Sequence, residues 1–466
     1  MPVNKDFYPI AGSSGAQSTG YTIDQSIRFN DDDSSRLYRT PGSAGNRRTH
    51  TFSVWLKRAN LDSSGSKFIF SRSEASYFYG YYFYQDKLTM GSGSSGTELS
   101  LRTNRLFRDP AAWYHLVLIL DTTQVVASER ARMYINGVRE FGDFSSETYP
   151  SLNAQLWMNT TSITEIGVAN PSGSKSGYFD GYMTEMYFLD GYAYGPEYFG
   201  EFDNNGIWIP KEYEEGNYGT NGFKFTGADS SSFGTDESGT GNNYTVAGLA
   251  TDDQRADSPT NNYHTWASNH GYVDGGTQTF ANGNLDYAVA AASWGAGQGT
   301  MGIPGSGKWT FAIKLTASLG GSSYPMFGVI DSLNQPIQDG IGLQYQSGTP
   351  ANSMVFVNTY QNSTQAYFFK GGNNSESIIG SAFAHGGATN GEWQWFINSD
   401  DKELTVYHNG TIRLDAYDIS FLTFPLFVGV TSYAYSGTRL LNEPGTEYTP
   451  SISGYKAINS SNIGAI

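Results

Sequence analysis

The sequence predicts an all-β protein, and its composition and its apolar periodicity both point to that class. Its 466 residues include 56 glycines, 15% aromatic residues and only 15% charged residues. Such a composition favours many strands joined by many turns. Short runs also alternate between apolar and other residues, as in "TFSVWLKR", where Phe52, Val54 and Leu56 share one face of the predicted strand. Side chains on one face of such a strand can enter a core, which is typical of β-sandwiches.

Two widely separated segments carry the same hairpin signal. The stretches are "RMYINGVRE", Arg132 to Glu140, and "LTVYHNGTIRL", Leu404 to Leu414. An Asn-Gly pair between alternating segments is the strongest short-range indication of a tight β-hairpin. Similar strand-like segments precede both hairpins in the same order. The repetition therefore predicts two related β-sandwiches, and it indicates architecture rather than a repeated active site.

The length of the chain and its local composition predict several domains. A chain of 466 residues exceeds the size at which single hydrophobic cores stop growing. We predict an N-terminal arm over residues 1–20, a first sandwich over 21–205, a connector with short strands over 206–290, and a second sandwich over 291–466. The connector is rich in Gly, Ser, Asp and Asn, as in "TGADSSSFGTDESGTGNNY", a composition that favours turns.

Charge and cysteine content exclude several classes of function. The chain has 28 Lys and Arg residues against 44 Asp and Glu residues, which gives a net charge of -16. A surface of that sign is repelled by phosphate backbones and anionic lipids, so we expect no nucleic acid and no membrane as partner. The absence of cysteine removes disulfides, thiolate catalysis and Cys-based metal sites. No basic segment followed by an apolar one opens the sequence, so we expect synthesis in a cytoplasm.

Several segments resemble a known family. The stretch "QSIRFNDDDSSRLYRTPGSAGNRRTHTFSVWLKR", Gln25 to Arg58, resembles the opening of laminin-G-like, concanavalin A-like domains of bacteriophage virion proteins. "WYHLVLILDTT", "MYINGV" and "GYFDGYMTEMYFLDG" continue that resemblance in the same order. The predicted connector is similar to the stretch that follows this domain in phage tail and structural proteins. In the second half, "GSGKWTFAIKL" and "KELTVYHNGTIRL" are similar to the SPRY-type sandwich.

The resemblance implies a fold and a location. It implies two concanavalin A-like jelly-roll sandwiches joined by a Gly/Ser/Asp-rich connector, the second of them SPRY-like. It also implies a structural protein that is made in the host cytoplasm and lies on the virion exterior, as a tail fibre or as a capsid fibre or decoration. The expected partners are other virion proteins and host-surface polysaccharide. Tail or capsid placement stays open at this point, as does assembly into a homo-oligomer such as a trimer.

Glycan cleavage is the main enzymatic alternative. Concanavalin-like glycosidases hold two carboxylates about 5–5.5 Å apart across the scissile bond. In several such families the pair lies on one strand in the pattern Glu-x-Asp-x-x-Glu. The nearest stretch here, "EFDNNG", begins at Glu201 and ends in Gly206 where the second Glu is required. We therefore predict no catalytic residue and no enzyme. A glycan depolymerase with carboxylates from distant strands stays as the alternative.

Two further motifs are weak indications of a ligand. "GIPGSGKW", Gly302 to Trp309, follows the phosphate-loop spacing, but Trp309 stands where the metal-binding hydroxyl is required, so we predict a turn entering a sheet. Carboxylates in acidic turns can offer oxygens to calcium, which prefers such ligands. Those considered are Asp31, Asp32, Asp33, Asp229 and Asp236. No complete calcium-loop spacing occurs among them, so no cofactor is predicted and calcium is left open.

The tract "YFYGYYFYQDKL", Tyr77 to Leu88, is the strongest candidate for binding. In a strand, alternate side chains face opposite ways, so one row can enter the core while the other offers tyrosine rings outward. Flat amphipathic rings suit stacking on sugars or packing against a partner protein. Tyr79 and Tyr81 are the outward-facing candidates, and the alternative is that core and loops cover both rows.

Overall fold

A computed structural model describes most of the chain. It describes residues 20–59, 61, 65–74, 77–93, 97–169, 174–273, 277–290, 293–317, 323–331, 354–358, 365–371, 377–384 and 391–464. The predicted N-terminal arm lies outside the described residues, apart from Gly20. The chain forms two compact units that divide between Asn261 and Asn262. That division falls inside the predicted connector.

The first unit contains strands β1 to β18. Their bounds are β1 Ser26–Phe29, β2 Arg36–Arg39, β3 Thr49–Arg58, β4 Ser66–Glu74, β5 Tyr77–Tyr84, β6 Lys87–Gly93, β7 Thr97–Thr103, β8 Trp113–Asp121, β9 Ala131–Ile135, β10 Val138–Glu140, β11 Phe144–Thr148, β12 Thr164–Ile166, β13 Gly181–Asp190, β14 Gly200–Phe202, β15 Trp208–Pro210, β16 Phe223–Phe225, β17 Thr245–Ala247 and β18 Gln254–Arg255. Short 3-10 helices span Ala127–Glu129, Pro196–Tyr198 and Thr251–Asp253.

The second unit contains strands β19 to β33 and one short helix. Their bounds are β19 Trp266–Val273, β20 Thr277–Ala281, β21 Asp286–Ala290, β22 Trp294–Ile303, β23 Lys308–Leu315, β24 Tyr324–Asp331, β25 Met354–Asn358, β26 Gln365–Gly371, β27 Ser377–Ala384, β28 Glu392–Asn398, β29 Glu403–His408, β30 Thr411–Asp418, β31 Leu426–Tyr433, β32 Thr438–Leu441, β33 Lys456–Ala457 and α1 Ser460–Ile463. The described residues contain no helix long and apolar enough to cross a membrane. The predicted all-β class is confirmed.

Each unit is built from two main sheets. In the first unit, the sheet that carries the Asn136 hairpin has the order β10-β9-β8-β3-β13-β1-β18, with β16 also paired to β13. We call it the hairpin sheet. The other, which we call the meander sheet because β4 to β7 follow one another in it, has the order β11-β7-β6-β5-β4-β12-β2-β17. Strands β14 and β15 form a separate two-stranded sheet.

The second unit repeats this topology. Its hairpin sheet has the order β30-β29-β28-β23-β32-β21-β20, and its meander sheet has the order β27-β26-β25-β24-β31-β22-β19. Strand by strand, β1 to β10 correspond to β21 to β30, and β12 and β13 correspond to β31 and β32. Corresponding strands lie in the same kind of sheet and follow one another in the same order. The two sandwiches are therefore related in topology, as the repeated hairpins predict.

The two Asn-Gly turns have the same local geometry. Asn136 and Asn409 both have φ of 48°, and the glycines that follow them have φ of 75° and 73°. The backbone N–H of Asn136 donates to the carbonyl of His115 at 2.9 Å, and that of Asn409 donates to the carbonyl of Glu392 at the same distance. The Asn side-chain oxygen accepts the N–H of that same residue, at 2.8 Å for His115 and 2.9 Å for Glu392. Backbone geometry accounts for both repeats.

The core of the first unit lies between its two sheets. In β3, Phe52, Val54 and Leu56 are fully buried in this core, as the alternation predicts. Trp55 lies on the opposite face of β3. It is also buried, because it packs in a separate apolar cluster on the outside of the hairpin sheet. Residues of the predicted connector contribute strands to both sheets, through β16, β17 and β18. They therefore form part of the packed unit.

The glycine-rich motif "GIPGSGKW" of the second unit runs from the end of β22 through a turn into β23. Gly302 and Ile303 end β22, and a short turn that includes Gly307, with φ of 88°, leads into β23. The N–H of Gly307 donates to the Asp400 carboxylate at 2.8 Å. Trp309 is buried in the core. The prediction of a turn entering a sheet is confirmed.

Candidate functional site

The tyrosines that we predicted to face outward point into the core instead. Tyr79 and Tyr81 lie in β5 and have no exposed surface. Their hydroxyls lie 3.2 and 2.9 Å from Nε2 of His50, and 3.1 Å from each other. Burial lowers the pKa of His50 to about 3 and raises the pKa of both tyrosines. These residues form a buried polar network, and the prediction that they offer their rings outward is wrong.

The register of the β5–β6 hairpin explains this orientation. A two-residue turn, Gln85 and Asp86, places Phe83 opposite Leu88. Leu88 lies in a row of β6 that continues with Met90, and both are fully buried. Cross-strand partners share a face, so the row of β5 that contains Phe83 enters the core. The turn and the apolar row of β6 are visible in the sequence and could have given the correct assignment.

The opposite row of β5 builds a surface on the outside of the meander sheet. We call it the aromatic face and define it by Phe68, Phe78, Tyr82, Tyr84 and Arg102. None of them belongs to the core cluster between the sheets. The ring centroids of Phe68 and Tyr82 lie 4.9 Å apart, those of Phe68 and Phe78 5.7 Å, and those of Phe78 and Tyr82 5.8 Å. Phe68 is buried and the other four are half-buried, so the rings form one contiguous surface with exposed edges.

Two glycines allow the rings to lie against the sheet. Gly80 and Gly91 are cross-strand partners on the same side as the rings. A Cβ atom on Gly80 would come within 2.7 Å of Phe78 Cζ, and one on Gly91 within 3.1 Å of the Tyr82 hydroxyl. The rings therefore occupy the space that two side chains would otherwise fill. This packing fixes Phe78 and Tyr82 in place before any ligand arrives.

Polar groups border the rings on the side of β7. Tyr82, Thr89 and Arg102 form one row across β5, β6 and β7. Nε of Arg102 donates to the Thr89 hydroxyl at 3.2 Å, and its guanidinium carbon lies 4.5 Å from the centroid of the Tyr84 ring. Burial raises the pKa of Tyr82, and the nearby Arg102 charge opposes that rise. Lys87 lies opposite Tyr84 and is half-buried. Sequence reasoning missed these residues because β7 has no distinctive motif.

The outside of the hairpin sheet is occupied by the protein itself. His115 is stacked between Trp55 and Trp208, with centroid distances of 4.6 and 5.9 Å. Nε1 of Trp208 donates to Nδ1 of His115 at 2.9 Å, and Nε2 of His115 lies 2.9 Å from the Ser53 hydroxyl. Burial lowers the pKa of His115 to about 3, so the ring is neutral at pH 7. This arrangement fixes the β14–β15 hairpin onto the sheet.

Glu185 is a buried carboxyl group on the same side of the hairpin sheet. It lies at an irregularity in the pairing of β13 with β3 and has φ of 48°. Its carboxylate accepts hydrogen bonds from the Tyr21 hydroxyl at 2.9 Å and from the Tyr187 hydroxyl. Burial is the largest cause of its raised pKa, and the negative charge of Glu237 adds to it. A buried acid at a bulge is a recurrent feature of functional sites, although both of its oxygens are used here.

The stretch that we compared with glycosidase motifs forms the β14–β15 hairpin. Glu201 is exposed on β14. Asp203 begins the turn, and its Oδ1 accepts the N–H groups of Asn205 and Ile207, each at 2.8 Å. Gly206 has φ of 77° in that turn. The sequence pattern therefore serves a turn.

Four of the five aspartates considered for calcium, Asp31, Asp33, Asp229 and Asp236, have carboxylates engaged in local hydrogen bonds or ion pairs. Asp31 pairs with Lys67 at 3.0 Å. Asp236 accepts four hydrogen bonds, from the N–H groups of Lys224, Ser238 and Asn242 and from the hydroxyl of Thr240. Within the described part of the chain, no three His, Asp or Glu side chains converge in a way that could hold a metal ion.

Part of the chain matches a known protein family. Residues 30–193 match the family model described as the concanavalin A-like lectin/glucanases superfamily. The matched residues run from the end of β1 to just beyond β13, so they cover the strands of the aromatic face. The prediction of a concanavalin A-like, laminin-G-like fold is confirmed for this region. A search of curated proteins gave no match.

Three solved structures are similar to parts of the chain. A heptameric SAP-like pentraxin from Limulus polyphemus is 15% identical, covers 36% of this chain and 76% of its own, and has a TM-score of 0.27. The SPRY domain of human HERC1 is 14% identical, the match covers 35% of this chain and 91% of that domain, and the TM-score is 0.25. A putative carbohydrate binding protein from Bacteroides ovatus is 14% identical, the match covers 48% of this chain and 58% of that protein, and the TM-score is 0.32.

Proposed function

We propose that this protein is a non-enzymatic adhesion protein that binds polysaccharide through the aromatic face. The observation that carries the proposal is the group of three contiguous rings, Phe68, Phe78 and Tyr82, held outside the core on a regular sheet. Aromatic rings stack on the apolar faces of sugars, and a tyrosine keeps its hydroxyl in water while doing so. The superfamily of the matched region supports recognition of a glycan, since its description names lectins and glucanases.

The proposed location is the exterior of a bacteriophage particle, on a tail fibre or a capsid fibre. This part of the proposal is supported by the sequence resemblance of residues 25–58 and of the segments that follow them. Adhesion to a host-surface polysaccharide is a role that an outward glycan-binding sheet can fill on such a particle. Mass spectrometry of purified particles tests the location, and absence of this chain from them would refute it.

Glycan binding is tested with the full chain and two matched variants. Tyr82→Ala removes the central ring of the aromatic face, whereas Phe141→Ala removes a ring that is 62% exposed elsewhere in the same unit. We expect Tyr82→Ala to weaken binding on a glycan array by about tenfold, as is usual for loss of a stacking ring. Phe141→Ala should bind like the unchanged protein. Equal binding by all three proteins would refute the proposal for this face.

A glycan depolymerase is the alternative function, and Glu185 is the observation that favours it. Burial raises the pKa of Glu185 above the ordinary value, which is the direction that a general acid requires. The test is release of reducing ends from bacterial surface polysaccharides, with Glu185→Gln as the variant. Release by the unchanged protein that Glu185→Gln abolishes would support hydrolysis and would refute the non-enzymatic proposal.

A further inference from the structure

Arg102 has a charge that the described part of the protein leaves without an anionic partner. Among the described residues, no Asp or Glu oxygen lies within 4 Å of its guanidinium nitrogens. Its described contacts are the hydrogen bond from Nε to Thr89, the stacking over Tyr84, and a charge interaction and hydrogen bond with the side chain of Tyr82. The nearest glutamate on its own strand, Glu98, accepts the Ser92 hydroxyl at 3.3 Å instead. The chain has 44 acidic residues, so an arginine without an acidic partner on the proposed binding face is notable.

The neighbours of Arg102 fix its position. Thr89 holds Nε, and the Tyr84 ring supports one side of the guanidinium plane. Lys87, opposite Tyr84, adds a second positive charge at the same end of the aromatic face. Arg102 also lies in the same cross-strand row as Tyr82. A sugar ring stacked on Tyr82 would therefore place its substituents within reach of a fixed positive group.

We propose that the aromatic face selects acidic polysaccharides, whose sugar carboxylates bind Arg102 while the sugar rings stack on Tyr82. This inference rests on the proposed function and names the class of glycan. Guanidinium groups bind carboxylates through two parallel hydrogen bonds, which a neutral sugar hydroxyl cannot match. The net charge of -16 opposes the approach of polyanions in general, so recognition depends on this local pair of positive groups.

The test compares each acidic glycan with its own neutral form. The probes are polygalacturonate, alginate and hyaluronan, each before and after chemical reduction of its carboxylates to alcohols. The proteins are the full chain, Arg102→Gln, Arg102→Lys, Tyr82→Ala and the control Phe141→Ala. We expect at least one acidic probe to bind about tenfold more tightly than its reduced form, and salt to weaken that preference.

The variants separate charge recognition from stacking. Arg102→Gln should abolish the preference for the acidic form and keep the weaker binding of the reduced form. Arg102→Lys should restore part of the preference, because it keeps the charge but loses the planar fork. Tyr82→Ala should weaken binding of both forms, and Phe141→Ala should change neither. Thermal unfolding of each variant checks that the sheet is intact.

Three results would overturn the inference, and they bear differently on the proposed function. Equal binding of acidic and reduced probes, lost in Tyr82→Ala, would refute acid selection and leave glycan binding in place. A preference for the acidic form that persists in Arg102→Gln would place the recognition elsewhere. Binding of none of the probes, together with no binding on the glycan array, would refute both proposals.

Discussion

The two Asn-Gly turns offer a matched experiment on what a single methyl group costs. Gly137 and Gly410 have nearly the same φ, 75° and 73°, so alanine at either position is strained to the same degree. That strain costs about 1 kcal/mol of the free energy of unfolding. The surroundings differ: a Cβ atom on Gly137 would lie 2.3 Å from Cε3 of Trp208, whereas a Cβ on Gly410 meets nothing within 4 Å.

The half-buried indole of Trp208 packs closely against two backbone segments. A Cβ on Gly200 would lie 2.4 Å from Cζ2 of the same ring, so the backbone of β14 is in close contact with it as well. Displacement would break the hydrogen bond to Nδ1 of the buried His115 and the ring stack on it. A buried acceptor left unpaired costs about 1–3 kcal/mol, and a lost ring pair about 0.5–1.5 kcal/mol. We therefore expect Gly137→Ala to cost about 3–5 kcal/mol and Gly410→Ala about 1 kcal/mol.

Urea unfolding, followed by tryptophan fluorescence and far-UV circular dichroism, measures both values. A double-mutant cycle isolates the free energy of the clash between the new methyl group at position 137 and Trp208. In a Trp208→Ala background, Gly137→Ala should cost only the backbone strain of about 1 kcal/mol. Equal destabilisation by Gly137→Ala and Gly410→Ala would refute the reasoning. So would a cost of Gly137→Ala that does not change when Trp208 is removed.

Three further predictions concern buried polar groups of the first unit. His50 and His115 have their pKa lowered to about 3, so the unfolded chain binds their protons first. The contribution of each ring to the free energy of unfolding should be fully present above pH 6.5. It should fall by about 1.4 kcal/mol per pH unit for each ring as the pH drops from 6.5 towards 3. Urea midpoints that do not change between pH 6.5 and 5 would contradict this. Tyr79→Phe removes a hydroxyl of the His50 network and should lower the free energy of unfolding by about 1–3 kcal/mol. Glycan binding should not change, and an effect on binding alone would contradict the position of Tyr79 in the core. Asp257→Ala removes a carboxylate that lies 2.8 Å from Nζ of Lys57 and also accepts the Nε1–H of Trp113 at 2.9 Å, and both Lys57 and Asp257 side chains are 1% exposed. It should cost about 3–5 kcal/mol in the same assay, and a cost below about 1 kcal/mol would show that this buried carboxylate contributes little to stability.

Local rules in the sequence were sufficient for the class, the repeat and the turns. An Asn-Gly pair needs only its own backbone preference to form a hairpin, so both turns could be predicted without knowing what surrounds them. The alternation in β3 correctly gave Phe52, Val54 and Leu56 as core residues, because one face of a sandwich strand must be apolar. The same local patterns indicated which segments form strands.

The pairing of strands decided which face of β5 enters the core, and the Gln85–Asp86 turn is the one sign of that pairing in the sequence. Both rows of β5 are aromatic, so composition could not distinguish Tyr79 and Tyr81 from Tyr82, and only the pairing with β6 sends the first two into the core. Arg102 became a candidate because three strands bring it beside Tyr82 and no acidic side chain in the described structure pairs with it. The sequence by itself determined where strands and turns form, since those depend on neighbours along the chain. The tertiary structure determined the candidate site, since that depends on neighbours across the sheet.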